Sequence, residues 1–301
     1  MVFVRISDGL GNQFFQYATG LALARKLNTR LVLDVTSSYT PDEQRRYELG
    51  HFKVTARPWT EREKAWVRKK QRQRERAMRI RNPILQPVRW LRGWCFRRWI
   101  FNCVDDQYCG YQPEIFSHRT NIYLQGTWIS ENYFSMIAAE VRSEFEFATP
   151  PEGENVSLLQ KISNYPAICV HVRRGDYVSN PRTNAKHGLC EIGYYQRGFS
   201  RIQRDVPHPV VFVFSDDPAW AQANLRFPCE TVFVTHNLGD KNHEDLRLMR
   251  ACQHFIIANS TFSWWAAWLA GYENKIIIAP ERWFRDPKRT DHPAPSSWIR
   301  L

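Results

Sequence analysis

Cysteine is sparse and unpaired in this sequence: Cys95, Cys103, Cys109, Cys169, Cys190, Cys229 and Cys252 form no Cys-x-x-Cys and no cluster spaced with histidine. That pattern excludes a disulfide framework and a structural zinc site, and it fits a reducing compartment. No stretch reaches the roughly 18 uninterrupted apolar residues of a membrane-spanning helix. The opening "MVFVRISDGLGNQ" passes from a short strand into a glycine turn, without the layout of a signal peptide. A cytoplasmic protein is expected, one that meets the inner membrane only at its surface. No internal repeat divides the chain.

Acids are scarce in one place. Between Arg62 and Arg98 stand fourteen Lys/Arg against only Glu63 and Glu75, which accounts for the whole net charge of +12. The basicity of this insert, residues 62–100, is local. Trp59, Trp66, Trp90, Trp94 and Trp99 interleave with it, and Pro83 and Pro87 break its helical run. A solvated helix face, an anionic membrane surface and an acidic ligand or nucleic acid all suit such a segment. On the insert alone, a non-catalytic peripheral protein that binds anionic lipid or nucleic acid is a coherent reading.

The 301 residues, 43% hydrophobic, are enough for two cores. In the second half the apolar runs "AICVHV" (167–172), "VVFVF" (210–214), "TVFV" (231–234), "FIIA" (255–258) and "IIIA" (276–279) alternate with helical periodicity. Runs this continuous are strands buried on both faces, so a parallel sheet with helices on either side follows. The first half begins in the same way: "VFVRI", a helix over 12–27 and "RLVLDV", with "NIYLQG" (121–126) resuming after the insert. "TPPEGEN" (149–155) reads as a linker. The expected fold is α/β with two Rossmann-like domains, 1–150 and 151–301, whose parallel sheets face a cleft at their carboxyl ends.

Two strand ends carry anion chemistry. "HVRRGDYV" sets His171, Arg173 and Arg174 at the end of a buried strand, with Asp176 beyond a glycine. The planar arginine fork suits bidentate phosphate contact; an Arg174–Asp176 ion pair is the structural alternative. "IIANSTFSWWAAWLA" (256–270) ends a strand at Ala258 and opens a helix near Phe262, crowding Asn259, Ser260, Thr261 and Ser263 into its first turn. Hydroxyls and helix amides together make an anion cradle, where ordinary capping needs one of them. Trp264, Trp265 and Trp268 read as core. In "DGLGNQFFQYA" (8–18), Gly9 and Gly11 allow close backbone approach, and Asn12 and Gln13 add donors. A capped tight turn is the alternative, as is a dinucleotide fingerprint with Asp34 on the ribose, which Phe14 in the third glycine's place argues against. Asp216 and Asp217 follow a strand and Glu244 and Asp245 open a helix, placed for capping or for ribose and guanine recognition. Asp-x-Asp, a usual hold for a metal on a sugar-nucleotide diphosphate, is missing, so arginines and a helix dipole would carry that charge.

Taken together, "GLGNQFFQYA", "HVRRGDY" and "NSTFSWWAAWL", in this order across nearly the whole chain, resemble the bacterial alpha-1,2-fucosyltransferases of glycosyltransferase family 11. The core alpha-1,6- and protein O-fucosyltransferases share the arginine motif and the serine-rich helix start. The resemblance implies a GT-B fold, GDP-beta-L-fucose as donor, inversion, a terminal galactose on a glycan as acceptor, and no cofactor or metal. It implies Arg173 on the beta-phosphate, supported by Arg174 and Asp176. His171 and Asp245 would lie against the guanosine, with Asp216 also on the donor. Asn259, Ser260, Thr261, Phe262 and Ser263 would border the diphosphate, and Asn12 the leaving oxygen, beside Gly9, Gly11 and Gln13. Asp8 stands where a second glycine is more usual. Asp8, Glu131 and Asp176 are the candidates for a base. No nucleic acid is expected on this reading, and the insert becomes a docking surface for the inner membrane.

Overall fold

The buried apolar runs form parallel strands in a computed structural model that describes residues 1–36, 46–79, 102–105, 110–118, 121–237, 239–286 and 292–301. The chain divides into two units. One comprises Met1–Leu49, Val54–Trp128 and Asn132–Glu144, the other Gly50–Lys53, Ile129–Glu131 and Phe145–Leu301.

In the first unit, β1 (Val2–Arg5), α1 (Leu10–Lys26), β2 (Leu31–Asp34), β3 (Arg57–Pro58), α2 (Glu61–Arg79), β4 (Asn102–Asp105), β5 (Ile122–Gln125) and α3 (Ala138–Glu144) follow one another. The strands make a parallel sheet in the order β3-β2-β1-β5-β4. Helix α1 is buried from Leu10 to Ala24 apart from Asn12, its polar residues Gln13, Gln16 and Thr19 enclosed along with Phe14, Phe15, Tyr17 and Leu21. It lies so close to the sheet that a Cβ on Gly20 would stand 2.8 Å from Leu31 Cδ1. Of the basic insert, α2 is described through Arg79. Pro83, Pro87 and the rest of residues 80–100 lie outside the described residues.

The second unit runs α4 (Glu154–Asn164), β6 (Ala167–Val172), α5 (Gly175–Ser179), α6 (Pro181–His187), α7 (Ile192–Gln203), β7 (Val210–Ser215), α8 (Pro218–Asn224) and β8 (Thr231–Val234). It ends with α9 (Asn242–Ala251), β9 (His254–Ile256), α10 (Thr261–Leu269), β10 (Ile277–Ala279) and β11 (Ile299–Arg300). Its six-stranded sheet is parallel throughout, in the order β11-β10-β9-β6-β7-β8. All six residues of β6 are buried. Trp264 and Trp265 of α10 are fully enclosed, and Trp265 meets Phe145 edge-on at 5.3 Å. Among the described residues no helix is long and apolar enough to cross a membrane.

The strand order locates the site in this unit. From β6 the chain moves outward to β7 and β8, then returns to the other side of β6 for β9, β10 and β11. The reversal falls between β6 and β9, and in open parallel sheets ligands bind beyond the carboxyl ends of strands at such a point.

Candidate functional site

Beyond that reversal lie both anion motifs of the second unit. Tyr177 ties them together: its hydroxyl donates to Asn259 O at 3.1 Å, and the His171 ring stands 5.8 Å from Phe262.

Arg173 is oriented by two carboxylates, Nη2 on Asp176 Oδ1 at 2.6 Å and Nη1 on Asp216 Oδ2 at 3.0 Å. The alternative Arg174–Asp176 pair is thereby corrected. Residues three apart share a face at a helix start and residues two apart do not, so Asp176 goes to Arg173. Arg174 instead donates through Nε to Asp217 Oδ2 at 3.1 Å and lies 3.9 Å over the ring of Trp220. Its backbone N–H reaches Asp216 Oδ1 at 2.7 Å. Asp217 also caps α8 through Trp220 N–H, the capping role read for it.

Gly175 leaves room for this arrangement. A Cβ there would stand 2.6 Å from Asp216 Oδ2, an oxygen held by Arg173. Gly175→Ala is therefore expected to push Asp216 off Arg173 and the Arg174 backbone N–H and to destabilise the unit by about 1 kcal/mol, a small cost because the carboxylate end can swing aside and the pair is partly exposed. Denaturant unfolding measures it, and an unchanged midpoint would refute the contact.

His171 is buried with Nδ1 lacking a partner, and burial, with Arg173 adding to it, lowers its pKa to about 3. It is a neutral ring. Asp245, in the first turn of α9, accepts from Asn237 Nδ2 at 2.9 Å on Oδ1, and burial raises its pKa to about 7. Glu244 beside it is taken by Arg247, whose Nε and Nη2 reach its two oxygens at 2.8 and 3.0 Å. Of that acidic pair, Asp245 is the one left for a ligand.

The serine-rich turn divides in the same way. Asn259 is buried, its Nδ2 donating to His187 O at 2.8 Å and Trp283 O at 3.2 Å. Ser263 is fully buried and its hydroxyl bonds back to Ser260 O. These two side chains hold the turn. Ser260 makes no side-chain cap bond, so its hydroxyl and the first amides of α10 remain for an anion, with Thr261 and Phe262 half-buried beside them. Trp264, Trp265 and Trp268 are core, as read. The indole of Trp268 donates to Glu131 Oε2 at 3.3 Å, and burial raises the Glu131 pKa.

In the first unit, the loop after β1 leads into α1. Asp8 has a φ of 64°, a left-handed conformation that explains why glycine suits the position. Gly9 opens α1 with clear space where a side chain would be, Gly11 is buried and Asn12 is half-buried. Gln13 is fully buried: it donates to Asp8 O at 2.9 Å and Arg46 O at 2.7 Å and accepts from Glu48 N–H at 3.0 Å. It shapes the loop and has no donor to spare. Asp34 is likewise engaged, by Tyr123 Oη at 2.6 Å and Thr36, which removes the ribose-binding role a dinucleotide site needs.

Comparison with known proteins adds the following. Residues 1–300 match the description "Glycosyl transferase family 11". The O-antigen biosynthesis glycosyltransferase WbnK of Escherichia coli is 32% identical over 98% of this chain and 99% of its own length. An alpha-1,2-colitosyltransferase of Escherichia coli is 30% identical over 100% and 99%. Among solved structures, the NodZ alpha-1,6-fucosyltransferase soaked with GDP-fucose superposes with a TM-score of 0.51 at 16% identity, covering 97% of this chain and 96% of that one. That likeness is one of fold, the GT-B type with two parallel α/β units.

Proposed function

The chain belongs to glycosyl transferase family 11 and is a glycosyltransferase, and from that premise we propose that it transfers L-fucose from GDP-beta-L-fucose, with inversion, to the 2-hydroxyl of a terminal galactose on a glycan. The donor is assigned to the second unit and the acceptor to the first. The observation that carries the donor half is Arg173, fixed at the end of β6 by Asp176 and Asp216, beside the amides that open α10.

As the sugar–phosphate bond breaks, negative charge collects on the departing diphosphate while the sugar becomes oxocarbenium-like. A pre-aimed guanidinium and helix amides stabilise that charge more than they stabilise the bound donor. Arg173 exchanges one carboxylate partner for a phosphate oxygen at little cost in orientation, because the other still holds it. His171, neutral and with Nδ1 free, and Asp245 supply an acceptor pair for the N–H groups of a guanine. Asp8, Glu131 and Asp176 are the candidate bases by position: Asp8 Oδ2 accepts from Ser7 Oγ at 3.1 Å, Asp176 is held by Arg173 and Glu131 by Trp268.

Calorimetry with GDP tests the donor assignment first. Micromolar binding unchanged by EDTA is the expected result, and absence of binding would overturn the reading. Transfer assays with GDP-fucose and galactose-terminated oligosaccharides then test the linkage. A colitosyl donor is the second reading, favoured by the 30% identical relative of that name; competition between the two donors at equal concentration decides it.

Asp245 gives the binding a pH signature. Ionised, it accepts guanine N–H groups; protonated, as burial favours below about pH 7, it does not. GDP affinity is expected to rise between pH 6 and 8 and to flatten above. In Asp245→Asn the dependence disappears along with most of the affinity. For folding the sign is opposite. A carboxyl with a raised pKa contributes most below its unfolded value of 3.8, and that contribution declines as the pH rises to about 7.

A further inference from the structure

We infer that the outer face of α2 is a docking surface for an anionic lipid bilayer. The inner face is seated: Val67 is fully buried in a cluster with Phe3, Val32 and Tyr123, against which Trp59 and Trp66 pack. The start of the helix is fixed by a capping box. Thr60 N–H donates to Glu63 Oε2 at 2.7 Å and Glu63 N–H to Thr60 Oγ1 at 3.3 Å.

Both acids of the first turn are consumed there. Glu63 is held by both Arg57 Nη atoms, at 2.9 and 2.8 Å, and that contact lowers its pKa to about 2. Glu61 pairs with Lys64 at 3.0 Å. On the solvent side Arg62, Arg68, Lys69 and Arg72 are exposed, and among the described residues no ion pair reaches them. From Arg62 to Arg72 is about 15 Å of helix, so these four cations lie along one edge of it.

A rigid row of uncompensated cations on a seated helix matches a flat anionic surface. Single-stranded nucleic acid is bound by stacking on exposed aromatic rings, and here Trp59 and Trp66 turn inward to the core. Each cation near an anionic leaflet strengthens attachment about fivefold, so four together are worth several hundredfold.

Co-sedimentation of the full chain with vesicles tests the inference. The protein is expected to pellet with phosphatidylglycerol-containing vesicles, to stay in solution with pure phosphatidylcholine, and to be released by high salt. The variant Arg62→Gln/Arg68→Gln/Lys69→Gln/Arg72→Gln, which leaves the seat and the capping box intact, is expected to lose at least a hundredfold in vesicle affinity while keeping GDP binding and transfer to a soluble acceptor. If that variant unfolds, Arg62→Gln and Lys69→Gln singly should each cost about fivefold. Equal binding to neutral vesicles, or undiminished binding by the folded variants, overturns the proposal. So does tighter binding to a single-stranded oligonucleotide that the same substitutions abolish. None of these outcomes depends on the donor assignment, which GDP calorimetry tests separately.

Discussion

Arg173→Ala is expected to lower kcat by about 10²- to 10³-fold, the usual consequence of removing a fixed donor from a developing charge, while the protein stays folded. The folding side follows from exposure. Arg173, Asp176 and Asp216 keep 28%, 35% and 25% of their side-chain surface in solvent, so the pairs are screened and their loss shifts the unfolding midpoint little. The catalytic side follows from what is left: Asp176 and Asp216 would then face a diphosphate with no cation between them. GDP affinity should fall too, by less than kcat, because charge on the leaving oxygen is greatest in the transition state. Arg173→Lys separates charge from geometry. It restores a cation without the fork that spans two acceptors, so only partial recovery is expected. Near-normal turnover in Arg173→Ala, measured by single-turnover release of GDP from GDP-fucose, would sink the assignment.

What the sequence made legible divides along a physical line. β6, β7, β9 and β10 announce themselves as apolar runs, since a strand buried on both faces has few polar residues to place, and the half-buried β8 keeps the apolar run of Val232, Phe233 and Val234. The edge strands β3 and β11 do not. Each is two residues long, and β3 is exposed, so no periodicity can mark it. The short β4 follows the basic insert and pairs with β5 through its backbone, a contact that side-chain patterning does not report.

The site behaves similarly. Arg173 and the opening of α10 could be found because strand end, arginine and helix start are local features. Which polar residues face a ligand could not. Asn259 is satisfied by carbonyls of His187 and Trp283, 72 and 24 residues away, and Gln13 by Arg46 and Glu48, more than 30 residues on. A polar side chain in a phosphate loop has either use, and only tertiary partners decide it. The same holds for Arg173 itself, whose second carboxylate, Asp216, comes from the neighbouring strand end.

Glu144→Ala is expected to cost the first unit about 3–5 kcal/mol, more than any single change near the donor motifs, through the uncompensated donors it strands in the interior. Glu144 is buried at the end of α3. Its Oε2 accepts from Tyr17 Oη and from Thr55 N–H, both at 2.6 Å, and its Oε1 from Thr55 Oγ1 at 2.6 Å. Tyr17 belongs to α1 and Thr55 to the segment entering β3, so one carboxylate joins three stretches of chain. Burial, helped by Glu144, raises the Tyr17 pKa well above its ordinary value. The phenol therefore remains a donor at every working pH. Removing the carboxylate leaves a phenol, an amide and a hydroxyl facing a space too enclosed to hydrate them freely. Tyr17→Phe is the milder comparison, expected to cost about 1–2 kcal/mol, because the carboxylate keeps both Thr55 donors while Ala56 N–H loses an acceptor. The double variant should cost less than the sum, since the two residues share one network. Denaturant unfolding of the four proteins measures that coupling. Strict additivity would mean that the carboxylate and the phenol act independently, and the junction would then owe its stability to apolar packing alone.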